Sequence, residues 1–241
     1  MTKQEKAVEI FRLWRQSPIA FIKVMWGLEP QIEEFIKGKH ITLQQYEVLL
    51  GVEKAIRGEA PKRISIASGH GVGKDAMLAW LGIWFMFCHK NAQIPCTAPT
   101  SPQLFDVLWK EYAYWIGKMP AWAKAKFDWT ATHIRWTEAP ETWFATARTA
   151  KKETPEALAG FHGDNLMYQI DEASGIFEEI FQKAEGSLTN ANAFIILASN
   201  PTRTIGYFYD THHKDKENWQ TFQFSSIDSP IVDKIFNEKI S

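Results

Sequence analysis

One stretch restricts this chain more than any other. Arg63 to Ala76 reads RISIASGHGVGKDA, an apolar run followed by three glycines within five residues and then a lysine. RISIA (63–67) has the look of a strand, and AMLAWLGIWFMFC (76–88) that of a buried helix, expected from Gly73 to about Phe87. A strand that turns into a helix through so many glycines can curl its backbone until successive N–H groups face one anion. The helix adds the positive end of its dipole. Lys74 adds a point charge suited to β- and γ-phosphates. Ser68, Gly69, His70, Gly71, Val72, Gly73, Lys74, Asp75 and Ala76 are therefore the candidate nucleotide cradle. The pattern G-x-x-x-x-G-K-[ST] is met imperfectly, with Ser68 at the first glycine and Asp75 at the final hydroxyl. A carboxylate is a hard oxygen ligand for Mg²⁺, so Asp75 is expected to reach that ion directly or through water, although it adds negative charge beside a triphosphate. The plain reading of the same residues is a Gly-rich turn with a surface lysine.

The surroundings favour the cradle. After residue 62, short apolar runs alternate with helical ones. AQIPCTA (92–98), NLMYQI (165–170) and AFIILA (193–198) read as strands, and Ser101-Pro102 opens a helix. THIRWT and TWFATAR form a predicted hairpin over 132–148, and TPEALAG a short helix ending at Gly160. The continuous apolar runs suit strands buried on both faces. The alternation argues for an α/β fold with a mostly parallel sheet, ligand at the carboxyl ends of its strands. Upstream, Thr2-x-x-Glu5 is a capping-box pattern opening a helix, Ser17-Pro18 interrupts it, and a second helix is expected from Thr42 to Arg57. Glu29-Pro30 and Lys37-Gly38-Lys39 are loop signals.

Composition excludes several classes. With 241 residues and 45% hydrophobic content, the chain can bury a proper core in one large domain or two small ones. Basic and acidic residues number 27 and 28, so no global positive field announces nucleic acid. The longest apolar run, 76–88, is too short to span a bilayer. The charged start MTKQEKAVEI carries no leader pattern, which points away from secretion. Cys88 and Cys96 are the only cysteines and lack metal-ligand spacing. The eleven tryptophans read as core and interface residues.

Two further motifs carry chemistry. LMYQIDEAS ends a buried strand in Asp171-Glu172. An Asp at such a strand tip is placed to hold Mg²⁺, and the adjacent Glu to act as general base toward an attacking water. ILASNPTR ends another strand at Asn200, whose amide could bond a γ-phosphate or the lytic water. Either motif alone also reads as a solvated strand end or a polar turn.

Together these motifs resemble the ATPase domain of phage terminase large subunits, the motors that package DNA into procapsids. The resemblance runs over roughly 40–230 and is carried by LQQYEVL (43–49), SGHGVGKD (68–75), TAPTSPQLFDVLWKE (97–111), ARTAKKETPEALAGFHG (147–163), YQIDEASGI (168–176) and ASNPTRTIGYFY (198–209). It implies a RecA-like P-loop NTPase with a mostly parallel central sheet and helices on both faces. A helical segment (1–40) and a small C-terminal lid or linker (207–241) would flank an ATPase core (41–206). It implies ATP and Mg²⁺ as ligands, Gln45 near the adenine, Lys74 on phosphates, Asp171 on the metal, Glu172 as catalytic base, and Ser199-Asn200-Pro201 coupling hydrolysis to movement. Gln45 also stands three residues after Thr42, where capping alone accounts for it. Arg148 is the candidate arginine finger supplied to a neighbouring subunit, with Arg203 as the fallback. The implied partners are double-stranded DNA, portal protein, small terminase subunit and further copies in a ring, with a monomer expected for the isolated domain, no membrane, and the host cytoplasm as location. The chain stops soon after SSIDSPIVDKIF, and its tail offers only Asp228, Asp233 and Glu238, so no nuclease activity is expected of it. Lys124, Lys126, Lys151, Lys152, Arg203 and His212-His213-Lys214 are local basic sites for DNA, and a net charge of −1 predicts weak, salt-sensitive binding. Two alternatives stand beside this reading: another DNA-dependent ATPase, helicase or loader, and a nucleotide-binding scaffold that does not hydrolyse.

Overall fold

The computed structural model describes residues 2–153, 155–188 and 192–232; Asp233 and Glu238 lie outside them. The Thr2 and Glu5 side chains cap each other's backbone and start α1 (Lys3–Gln16). The Ser17-Pro18 pair breaks the helix as expected. The Ser17 hydroxyl accepts from Ala20 N–H and opens α2 (Pro18–Trp26). β1 (Glu29–Pro30) and β2 (His40–Ile41) pair in parallel and close the loop between them. A second reciprocal cap, Thr42 with Gln45, starts α3 (Leu43–Ile56).

The α/β core follows. β3 (Arg63–Ser68) leads through the glycine loop into α4 (Lys74–Cys88), then β4 (Ala92–Thr97). The helix expected from Ser101-Pro102 is present; its first part, Pro102–Leu108, is wound as a π-helix and continues into α5 (Trp109–Gly117). A single turn, α6 (Ala121–Lys124), precedes β5 (Phe127–Trp129), β6 (His133–Trp136) and β7 (Phe144–Ala147). β6 and β7 are the predicted hairpin. Then come β8 (Asn165–Asp171), α7 (Glu178–Glu185), β9 (Ala193–Ser199), α8 (Tyr207–His212) and β10 (Gln220–Phe224).

One eight-stranded sheet runs in the order β10-β3-β9-β8-β4-β7-β6-β5. Its strands from β10 to β7 are mutually parallel, and β6 and β5 continue it antiparallel. Residues 220–224, within the segment expected as a lid, are thus an edge strand hydrogen-bonded to β3. The alternation of polar and aromatic residues in QTFQF, with Phe224 buried, suits a strand with one covered face.

β8 and β9 are buried at every position. Their alternation sorts side chains between two cores. Met167, Phe194 and Ile196 join α4 and the N-terminal helices on one face. Leu166, Tyr168, Ile170, Ile195 and Leu197 join Ile180, Phe181, Phe208 and Trp219 on the other. Tryptophan serves these cores as the composition suggested, since Trp122 alone of the eleven is exposed. Indole N–H groups tie distant elements through backbone carbonyls: Trp84 to Trp14 (2.6 Å), Trp26 to Trp115 (2.9 Å) and Trp143 to Met86 (2.7 Å). No helix among the described residues is long and apolar enough to cross a membrane.

Candidate functional site

The site forms where β3, β8 and β9 end side by side. The glycines between β3 and α4 each meet a distinct requirement. Gly71 (φ 71°) and Gly73 (φ 80°) occupy the left-handed region, where a Cβ is disfavoured. Gly69 answers to space instead, because a Cβ there would stand 1.9 Å from the Ser226 hydroxyl. Its N–H donates to the Phe224 carbonyl at the end of β10 (2.8 Å). Gly73 caps α4 with no side chain, so the first amides of that helix are left to a ligand.

Lys74 leaves the loop and lies buried against three carboxylates: Asp171 at 2.5 Å, Asp75 at 3.0 Å and Glu172 at 3.0 Å. Burial works to lower the pKa of the ammonium, but Asp171, then Asp75 and Glu172, outweigh it, and the net shift is upward. One ammonium among three carboxylates leaves negative charge in surplus. Burial, opposed by Lys74, pushes the Asp171 carboxyl up to about 7. Asp171 reaches this position because β8 has period two. Gln169 and Asp171 point to one face, where Gln169 donates to the Leu78 carbonyl (2.8 Å) and Asp171 takes Lys74, four residues apart on α4.

Glu172 adopts φ 48° and ψ 44°, the left-handed region, as a non-glycine residue. Such strain, of order 1–3 kcal/mol, persists where surrounding structure over-determines it, and it clusters at functional sites. Here the Glu172 carbonyl accepts from Gly175 N–H (2.9 Å), and its carboxylate accepts from the Ser199 hydroxyl (3.4 Å). Asn200 follows Ser199 at the tip of β9 and puts its Nδ2 2.6 Å from His70 Nε2. Loop, acid pair and β9 tip therefore converge as the sequence led one to expect. The Ser199 bridge and the His70–Asn200 contact carry no motif of their own.

The remaining candidates fall elsewhere. Gln45 is buried against the loop, its Oε1 accepting from Thr42 N–H (2.9 Å) and its Nε2 donating to the Gly73 carbonyl (2.9 Å). Both polar ends are engaged with backbone. Ser68 is buried with its hydroxyl unpartnered, and Val72 is buried in the core. Ala76 begins the buried side of α4 and borders a cavity described below. Arg148 ends β7 exposed, its guanidinium 4.8 Å from the Phe161 ring centroid. Arg203 is exposed after β9. Of the basic sites, Lys126 pairs with Glu138 (2.5 Å) and Lys214 with Asp210 (2.7 Å). Lys151, Lys152 and Arg203 stand exposed beyond the carboxyl ends of β7 and β9.

Asp75, Asp171 and Glu172 are all hard oxygen donors, the chemistry Mg²⁺ takes. Among the described residues no group of three or more His, Cys, Asp or Glu side chains is arranged to cage a metal alone.

No protein-family model matches the chain. A probable terminase large subunit of Enterobacteria phage P7 is 30% identical over 239 residues, covering 95% of this chain and 45% of the relative. The chain thus spans a little under half the length of that relative. Among solved structures, it resembles the large terminase ATPase domain of Thermus phage P74-26 (TM-score 0.62, 16% identity, 91% of this chain and 88% of that one). It also resembles the large terminase of a thermophilic bacteriophage in complex with ADP (0.65, 16%, 83% and 49%) and the HK97 bacteriophage large terminase (0.61, 14%, 88% and 44%). These structures share the RecA-like fold. Along nearly its whole length the chain is thus similar in sequence to a probable terminase large subunit, and it shares its fold with solved large terminase structures.

Proposed function

We propose that this chain hydrolyses ATP, with Mg²⁺, to drive translocation of double-stranded DNA into a procapsid. The observation that carries this reading is the meeting of Lys74, Asp171 and Glu172 beneath a glycine loop at the carboxyl ends of β3 and β8, with β9 between them. Mg²⁺, held by Asp171 and Asp75, would neutralise phosphate charge. Loop amides and Lys74 bind the β- and γ-phosphates. Lys74 leaves part of its carboxylate cluster for them, a short movement for a flexible side chain. Glu172, held by its left-handed backbone, takes the proton of a water lined up on the γ-phosphorus. Asn200 senses the γ-phosphate and relays its presence through β9. Arg148, exposed at the sheet's carboxyl edge, completes the site of a neighbouring copy and neutralises developing charge there. DNA, portal protein and small terminase subunit are the partners this role requires, and the host cytoplasm is its place.

The test is phosphate release from ATP across protein concentrations, with and without linear duplex. Expected is a rate rising more than linearly with protein, and a loss of that rise in Arg148→Ala. Rapid turnover by dilute monomer would sink the in-trans part. Unwinding of a forked duplex would favour a helicase, and tight ATP binding without turnover at any concentration a scaffold.

The His70–Asn200 contact adds a prediction. It holds the Asn200 amide where a γ-phosphate would compete for it. A partly exposed hydrogen bond contributes about 0.5–1 kcal/mol. His70→Ala should therefore tighten binding of a non-hydrolysable ATP analogue about threefold and leave ADP unchanged, measured by calorimetry. Equal effects on both nucleotides would remove Asn200 from γ-phosphate sensing.

A further inference from the structure

A cavity of about 300 Å³ opens beside the loop, bordered by Gly73 and Ala76. That is the lower end of small-molecule sites. Its walls are aromatic: Phe35 and His40 from the β1–β2 loop and β2, Trp80 from α4, Tyr114 and Trp115 from α5. Trp80 and Trp115 meet edge to face at 5.1 Å. Two charged side chains also line the space, Lys37 from the β1–β2 loop and the carboxylate Glu111 on α5. The Trp115 indole donates to Glu111 Oε2 (2.9 Å), which fixes the group and leaves Oε1 as an acceptor. Trp80 is 3% exposed, and its indole N–H has no partner. Gln45 borders the cavity too, but its amide is engaged with Thr42 and Gly73.

Direction follows from the site. On the ATP reading above, the γ-phosphate end of a triphosphate would face Glu172 and Asn200, and its other end would leave past Gly73 and Ala76, which border this cavity. We propose that the cavity receives the nucleotide base and that Glu111 reads its exocyclic amino group, which makes Glu111 a residue that selects adenine. The inference rests on the ATP reading above and names the side chains that would impose its base preference. Flat aromatic walls hold any purine. A fixed carboxylate distinguishes a ring bearing an amino donor at position 6 from one without it, because a half-buried acceptor loses a hydrogen bond when that donor is missing. Burial raises the Glu111 pKa, and the Asp75 charge adds to this while the Trp115 hydrogen bond opposes it, consistent with a group already partly desolvated for such a contact.

The test compares equilibrium binding of ATP, purine riboside triphosphate (which lacks the 6-amino group) and tripolyphosphate, with Mg²⁺, by calorimetry. Wild type should prefer ATP to the deamino analogue about tenfold, the worth of one hydrogen bond to a charged group. Glu111→Ala and Glu111→Leu should bind both nucleotides equally. Both nucleotides should quench tryptophan emission, and tripolyphosphate should not. Equal binding of the two nucleotides by wild type, or a preference that survives in the variants, overturns the inference and leaves the ATP reading standing. Failure of wild type to bind any of the three overturns both.

Discussion

Glu172→Gln should lower phosphate release about a thousandfold while ATP affinity stays within a few-fold. The variant keeps the shape and the Ser199 hydrogen bond but cannot take a proton, and general-base catalysis contributes about 10²–10⁴ in rate. Two features separate this residue from an ordinary strand-end acid. It sits in the left-handed region without being glycine, so its backbone is strained toward one placement of its carboxylate. Lys74 (3.0 Å) then holds that carboxylate, with the Ser199 hydroxyl 3.4 Å away. Removing one of three negative charges beside Lys74 also lowers the competition that phosphates meet there, so binding should hold or improve. Single-turnover phosphate release and calorimetry on the same preparation decide it. Hydrolysis at the wild-type rate by Glu172→Gln would require another base.

The second large effect concerns stability. Gly82→Ala, a substitution that favours an isolated helix by about 1 kcal/mol, should here destabilise the protein by about 3 kcal/mol. An added Cβ would stand 1.6 Å from the Tyr112 hydroxyl oxygen and 2.5 Å from the ring carbon that bears it. Tyr112 has nowhere to retreat. It is fully buried, and its hydroxyl donates to Gln169 Oε1 (2.7 Å), whose amide in turn holds the Leu78 carbonyl. α4 and α5 must part, and overpacking of this kind typically costs about 1–3 kcal/mol, occasionally more. A chain of this size should lose roughly 10 °C in Tm. Urea unfolding of wild type and Gly82→Ala checks it. Gly82→Ala/Tyr112→Leu should regain part of the loss, because the shorter side chain frees the space. Unchanged stability in the single variant would mean that the two helices are not so closely apposed.

Much of the site was legible because its parts are local. A turn that needs positive φ asks for glycine, and Gly71 and Gly73 are there. A helix start asks for a reciprocal cap, and Thr2-Glu5 and Thr42-Gln45 form one each. Strands buried on both faces ask for unbroken apolar runs, and β8 and β9 follow theirs. Where the sequence was ambiguous, two demands competed at one residue. Gln45 satisfied both a capping pattern and the family's adenine position, and the structure shows its amide engaged with the cap and the loop. QTFQF is too short and too polar to announce a strand, and pairing with β3 makes it one.

Patterns spanning a few residues thus determined the strands and helices that frame the loop, where the phosphate loop lies, and which acids end a buried strand. Only the tertiary structure decided who meets whom. Lys74 and Asp171 are 97 residues apart, and they touch because strand order brings β8 near the loop after β3 and period two turns Asp171 toward α4. The left-handed turn at Glu172, the His70–Asn200 contact and the cavity holding Glu111 come from packing in the same way. Propensity and turn chemistry act within a turn or two of the chain, whereas such contacts depend on how separate elements close on one another, which no local pattern encodes.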